Sequence, residues 1–113
     1  MSSCNGGLPV TVDLSAYRGD TWSRSFQFFH GSTPEDLTGA TVESEARDTQ
    51  GTVTSLVVTI TDALAGKLDL TLPAGGLPAG NYYWDLEETK SGEITTWVTG
   101  RLIVRRDVTN ELP

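Results

Sequence analysis

Between Asn81 and Glu87 the chain alternates with a period of two. Tyr82, Trp84 and Leu86 fall on one side, and Asn81, Tyr83, Asp85 and Glu87 on the other. That period marks a β-strand with one face turned to a core. The same rhythm recurs along the chain. Pro9 to Leu14 sets Val10, Val12 and Leu14 on one face, and Thr21 to Phe29 sets Trp22, Phe26 and Phe28. Ala40 to Arg47 turns the small residues Ala40, Val42, Ser44 and Ala46 inward; Thr52 to Thr61 turns Leu56, Val58 and Ile60 inward. Lys67 to Leu72 offers Leu68, Leu70 and Leu72, and a last strand runs through Leu102 and Val104. Turn residues separate these runs, and Asp62 to Gly66 is too short for a stable helix. Seven strands without a helix predict an antiparallel sandwich, with the small-residue third strand filling space against the aromatic second.

The last two strands predict a hairpin. With Lys90, Ser91 and Gly92 as a three-residue loop, Trp84 faces Val98, Leu86 faces Thr96 and Tyr82 faces Gly100, so that an aromatic ring covers the glycine backbone. In that register Tyr83, Trp97 and Ile103 point to solvent. The entrance to the sixth strand, Leu77-Pro78-Ala79-Gly80-Asn81-Tyr82, has the Leu-x-x-Gly-x-Tyr spacing of the tyrosine corner of immunoglobulin-like sandwiches, in which the hydroxyl reaches back to upstream backbone. The predicted fold class is therefore all-β, an immunoglobulin-like antiparallel β-sandwich of about seven strands. Leu77, Gly80, Tyr82, Trp84 and Gly100 are its expected structural residues.

Length narrows the organisation: 113 residues suit one domain over 1–113, with loose ends at about 1–8 and 108–113. Fifteen acidic against eight basic residues give a net charge of −7, which argues against nucleic acid as a partner; Arg101, Arg105 and Arg106 are expected to pair with carboxylates. No apolar run approaches the ~20 residues of a membrane helix, so no membrane partner is expected. The start lacks the basic and apolar regions of a signal peptide, which predicts synthesis in a cytoplasm. The one cysteine, Cys4, has no partner for an internal disulfide and is expected as a free thiol on a flexible end.

Chemistry is sparse. His30 is the one histidine, and a general base needs an oriented partner and a nucleophile within reach. Cys4 and His30 have nothing to tie them together, and one Cys with one His does not make a zinc site. Calcium suits the abundant carboxylates better, yet Glu35 with Asp36 and Glu43 with Glu45 form no Asp-x-Asp-x-Asp run. No catalytic, cofactor or metal residue is predicted. Arg18-Gly19-Asp20 spells an integrin-binding tripeptide but reads as a turn whose Asp caps the next strand. The outward residues are more informative: Tyr83, Trp97, Arg101, Ile103 and Arg105 have the aromatic and arginine content of a protein interface, with Tyr17 and Phe29 unassigned to the core.

The segments Leu-Ser-Ala-Tyr-Arg-Gly-Asp-Thr-Trp (14–22), Asp-Leu-Thr-Gly-Ala-Thr-Val (36–42), Gly-Lys-Leu-Asp-Leu-Thr-Leu (66–72), Leu-Pro-Ala-Gly-Asn-Tyr-Tyr-Trp-Asp-Leu (77–86) and Gly-Arg-Leu-Ile-Val-Arg-Arg-Asp-Val-Thr (100–109), in that order, resemble the small immunoglobulin-like domains of tailed-phage virion proteins. The nearest likeness is to the N-terminal domain of upper baseplate proteins and related minor tail proteins. The resemblance implies a non-enzymatic bacteriophage virion structural protein of the tail or baseplate. Its partners are other virion proteins, in a symmetric particle that also allows homo-oligomers, and its location is the virion after synthesis in the host cytoplasm. Baseplate relatives continue into further domains whereas this chain stops at Pro113, which keeps a capsid decoration protein on the head as an alternative. A second alternative is a carbohydrate-binding adhesion module that stacks a host surface glycan on Trp97 and Tyr83.

Overall fold

Each run of alternation becomes extended backbone because its apolar side chains have a facing layer to pack on. The structure is a computed structural model and describes residues 2–5, 9–18, 22–73 and 77–105. In chain order the strands are β1 (Ser2–Asn5), β2 (Val10–Thr11), β3 (Leu14–Tyr17), β4 (Ser23–His30), β5 (Thr33–Pro34), β6 (Thr41–Asp48), β7 (Val53–Asp62), β8 (Lys67–Thr71), β9 (Gly80–Lys90) and β10 (Glu93–Arg105). Six of the seven expected strands lie close to their expected bounds. The first is broken at Val12 and Asp13 into β2 and β3, and β1 and β5 are short additions, so among the described residues ten strands stand in place of about seven. Residues 2–5 belong to the start expected to be loose. They pair parallel with β4 and bury Cys4 completely, so the thiol is a core residue and not an appendage. Gly19 and Asp20 of the tripeptide turn, and the tail after Arg105, lie outside the described residues.

Two layers share one strand. β7 pairs with β6 through Val53 to Leu56 and with β8 through Val57 to Asp62, so it passes from one sheet to the other. One layer runs β1-β4-β8-β7; the other runs β7-β6-β9-β10 and ends on β2 and β3, both parallel to β10. The parallel pairings of β1, β2 and β3 depart from the wholly antiparallel expectation. Between the layers lie Phe26, Phe28, Leu68 and Leu70 from one side and Ala46, Trp84, Leu86, Val98 and Leu102 from the other, all buried. The small inward face of β6, Val42, Ser44 and Ala46, makes room for rings as expected. The result is an all-β sandwich.

Trp84 is 2 % exposed, and its ring meets Phe26 across the interior with centroids 5.7 Å apart. Its Nε1–H donates to the Val12 carbonyl at 2.9 Å. Gly100 permits that approach: a Cβ there would overlap the Val12 carbonyl oxygen and come within 3.1 Å of Trp84 Nε1. Gly100 thus lies beneath Trp84 and Val12, not beneath Tyr82 as expected. The corner expectation holds: the Tyr82 hydroxyl donates to the Pro78 carbonyl at 2.6 Å, four residues upstream, over a buried Leu77.

The hairpin register differs from the expected one. Its loop is two residues, Ser91 (φ 53°) and Gly92 (φ 81°), the left-handed pair of a type I′ turn. Lys90 consequently faces Glu93, and even positions of β9 face odd positions of β10 near the tip. A bulge between Thr96 and Val98 restores the match, after which Leu86 faces Val98, Trp84 faces Gly100 and Tyr82 faces Leu102.

Two substitutions test this frame by urea unfolding. Gly100→Ala forces β2 away from β10 and should lower stability by about 3 kcal/mol; an unchanged midpoint would refute the close approach. Tyr82→Phe should lose about 1 kcal/mol, the worth of one buried hydrogen bond.

Candidate functional site

The outward face of the larger layer is built by the odd positions of β6, β9 and the distal part of β10. Register places Tyr83 opposite Arg47 on one side and Arg101 on the other. Tyr83 is 60 % exposed, and the Arg101 guanidinium carbon lies 5.9 Å from its ring centroid, a cation–π distance. The next row aligns Glu45, Asp85, Thr99 and Thr11 across four strands. At the edge, Asp13 Oδ1 accepts the backbone N–H of Arg101 at 3.1 Å. Together Asp13, Glu45, Arg47, Tyr83, Asp85 and Arg101 line an open depression of about 580 Å³.

Asp85 has a carboxyl raised above the ordinary aspartate range, chiefly by burial. The Glu45 N–H at 3.3 Å and the Arg47 charge oppose that rise, while the Glu45 charge adds to it. On the far side of Tyr83 a smaller depression of about 240 Å³ is bounded by Thr49, Asn81, Arg101 and half-buried Ile103. Arg105 faces Tyr17, also exposed, on the neighbouring strand. The face therefore presents an Arg-Tyr-Arg row beside carboxylates, with apolar Ile103 and Tyr17 at one end.

Tyr83, Arg101, Ile103 and Arg105 come together as expected, but Trp97 does not. It is 1 % exposed, stacks on Phe28 at 4.4 Å with planes 6° apart, and donates its Nε1–H to Glu88 Oε1 at 2.8 Å. The bulge is the reason: it turns both Trp97 and Val98 inward, where strict alternation would expose one of them. A two-ring stacking platform of Trp97 and Tyr83 is thus absent. Arg47, Asp13 and Glu45 were missed by sequence reasoning. Arg47 and Glu45 occupy odd positions on their strand, but their alignment with Tyr83 depends on a register between strands far apart in the chain.

Other chemical candidates are accounted for. Burial pushes the Cys4 thiol up to about 11, away from the reactive thiolate. His30 Nε2 lies 3.1 Å from Glu35 Oε1, and its ring meets the edge of Trp97. Among the described residues no group of three or more His, Cys, Asp or Glu is placed to hold a metal ion.

No protein-family model matches this chain, and no curated protein does. Among solved structures, the N-terminal domain of ORF48 of phage TP901-1 superposes on it with a TM-score of 0.65 at 16 % sequence identity. The overlap takes in 91 % of this chain and 94 % of the other. The fold is one that a phage protein domain also uses. At that identity the likeness lies in backbone path, and the surface residues of the two have no reason to coincide.

The two aromatic positions separate cleanly by mutation. Trp97→Ala should cost about 3 to 5 kcal/mol, as for a large ring removed from a core. Tyr83→Ala should stay within about 0.5 kcal/mol of the parent, as for a surface change. Equal losses in thermal or urea unfolding would contradict the assignment of one ring to the interior and the other to solvent.

Proposed function

We propose that this chain is a non-enzymatic structural module of a bacteriophage virion, an immunoglobulin-like domain over 1–113 that belongs to the tail or baseplate and binds other virion proteins. The observation that carries the reading is the superposition, over nearly the whole of both chains, on a domain of a phage protein. The sequence resemblance to tail and baseplate domains points the same way. The binding surface in this reading is the outer face around Tyr83, Arg101, Ile103 and Arg105, joined by Arg47. Tyrosine and arginine are enriched at protein interfaces. Arg47 and Arg101 flank Tyr83 on backbone already fixed by strand pairing, which lowers the cost of docking.

Carboxylates beside the arginines suit a partner surface of mixed charge better than a phosphate backbone, in keeping with the net charge of −7. Arg101 reaches Tyr83, so a partner side chain entering the depression meets an aromatic ring and a guanidinium at once.

The test is incorporation into particles. Phage carrying Tyr83→Ala with Arg101→Glu should assemble with this protein depleted, while the purified double variant melts like the parent. Quantitative mass spectrometry of purified particles reads the outcome. Undiminished stoichiometry in the variant would remove the outer face as the interface, and absence of the parent protein from particles would remove the virion role. A copy number comparable to that of the major capsid protein would place it on the head instead of the tail.

A further inference from the structure

One carboxyl lies inside the sandwich with half of its hydrogen-bonding capacity unmet. Glu88, on the inward face of β9, is 3 % exposed. Its Oε1 accepts the Trp97 Nε1–H at 2.8 Å, and its Oε2 has no hydrogen-bond partner. Around it, a recess of about 290 Å³ gathers the other ionisable groups of this end of the fold. His30 comes from β4, Glu35 from the segment after β5, Lys90 from the end of β9 and Glu93 from the start of β10. β6 places apolar Val42 at the position opposite Glu88. Lys90 directs its ammonium to the Asp36 carbonyl at 2.6 Å.

The Glu35 carboxyl lines the same recess as Glu88, and it is held in place by two contacts. Its backbone N–H donates to the Phe28 carbonyl at 2.9 Å, and its Oε1 lies 3.1 Å from His30 Nε2. Two ionised carboxylates are both acceptors and repel, so Oε2 is left bare; one proton between them supplies the missing donor. In the tautomer that carries a hydrogen on Nε2, His30 donates to Glu35 Oε1, and the other carboxyl of the pair, Glu88, is the one to carry the shared proton.

We propose that Glu88 and Glu35 form a proton-sharing carboxyl pair that clasps the β4–β5 hairpin and the segment after it to the tip of the β9–β10 hairpin, and that this clasp opens as the proton leaves.

The electrostatics agree in direction. Burial first, and hydrogen bonding and repulsion from Glu35 with it, push Glu88 up to about 7 from an ordinary 4.5, against the pull of the Trp97 N–H and the Lys90 charge. A carboxyl raised on folding binds its proton more tightly in the native state than in the unfolded chain. Below pH 4.5 both states are protonated and the shift contributes nothing; between 4.5 and about 7 stability falls as pH rises; above about 7 the penalty is complete. The clasp is therefore closed in mild acid and strained in mild base, opposite to the usual salt-bridged carboxylate.

Glu88→Gln distinguishes this from an ordinary buried acid. The amide oxygen accepts from Trp97 and the amide NH₂ donates to Glu35, so the variant imitates the protonated pair at every pH. In urea unfolding of the full chain, the folding constant of the variant relative to the parent should rise with pH, by up to about tenfold per unit across that window. Protection of the amides of residues 35–37 against hydrogen exchange, relative to their intrinsic rates, should fall at pH 8 in the parent and not in the variant. Carboxyl-carbon NMR should place the Glu88 transition near neutrality and move it down in Glu35→Gln. A Glu88 transition at the ordinary glutamate value, a transition indifferent to Glu35→Gln, or an equal loss of stability in Glu88→Gln at all pH values would each overturn the proposal.

Discussion

The hydrogen bond from the Trp84 indole to the Val12 carbonyl is the constraint on which most of the architecture depends. Trp84 fills the space between the layers, and a buried indole N–H left without an acceptor would cost about 1 to 3 kcal/mol. The acceptor comes from a segment 72 residues earlier, brought into contact only because Gly100 has no side chain. The same contact holds β2 and β3 along β10. That edge is then paired along part of its length, which reduces the backbone left open to unintended strand addition. Core packing, chain entry and edge protection share one contact.

The bulge at Trp97 is the second organising device. A type I′ loop makes the tightest hairpin, but in this chain it puts the two strands out of step by one residue. A single extra residue corrects the step and sends two neighbouring large side chains inward. One of them, Trp97, stacks on Phe28 and gives its N–H to Glu88. The local register correction therefore gives the one buried carboxylate among the described residues its hydrogen bond, and with it the titratable end of the molecule.

The two ends of the molecule differ in kind as a result. Around Tyr83 the polar groups are solvated, paired across strands and fixed on rigid backbone, as a docking face requires. Around Glu88 they line a recess, and Glu88 itself is buried, so that its ionisation is tied to the folded state.

Alternation along single strands was readable from the chain alone, because side-chain direction in extended backbone is a local property with a period of two. It placed Trp84, Leu86, Leu102 and Val104 inside and Tyr83, Arg101 and Arg105 outside, and the Leu77 to Tyr82 spacing disclosed the corner. What the residues did not disclose is whatever depends on partners distant in sequence. The loop of two residues in place of three, the bulge that hides Trp97, the pairing of residues 2–5 with β4, the row of Arg47, Tyr83 and Arg101, and the meeting of Glu35 with Glu88 all follow from inter-strand register. Register is set by the packing of the whole sandwich, and no single stretch of chain contains it.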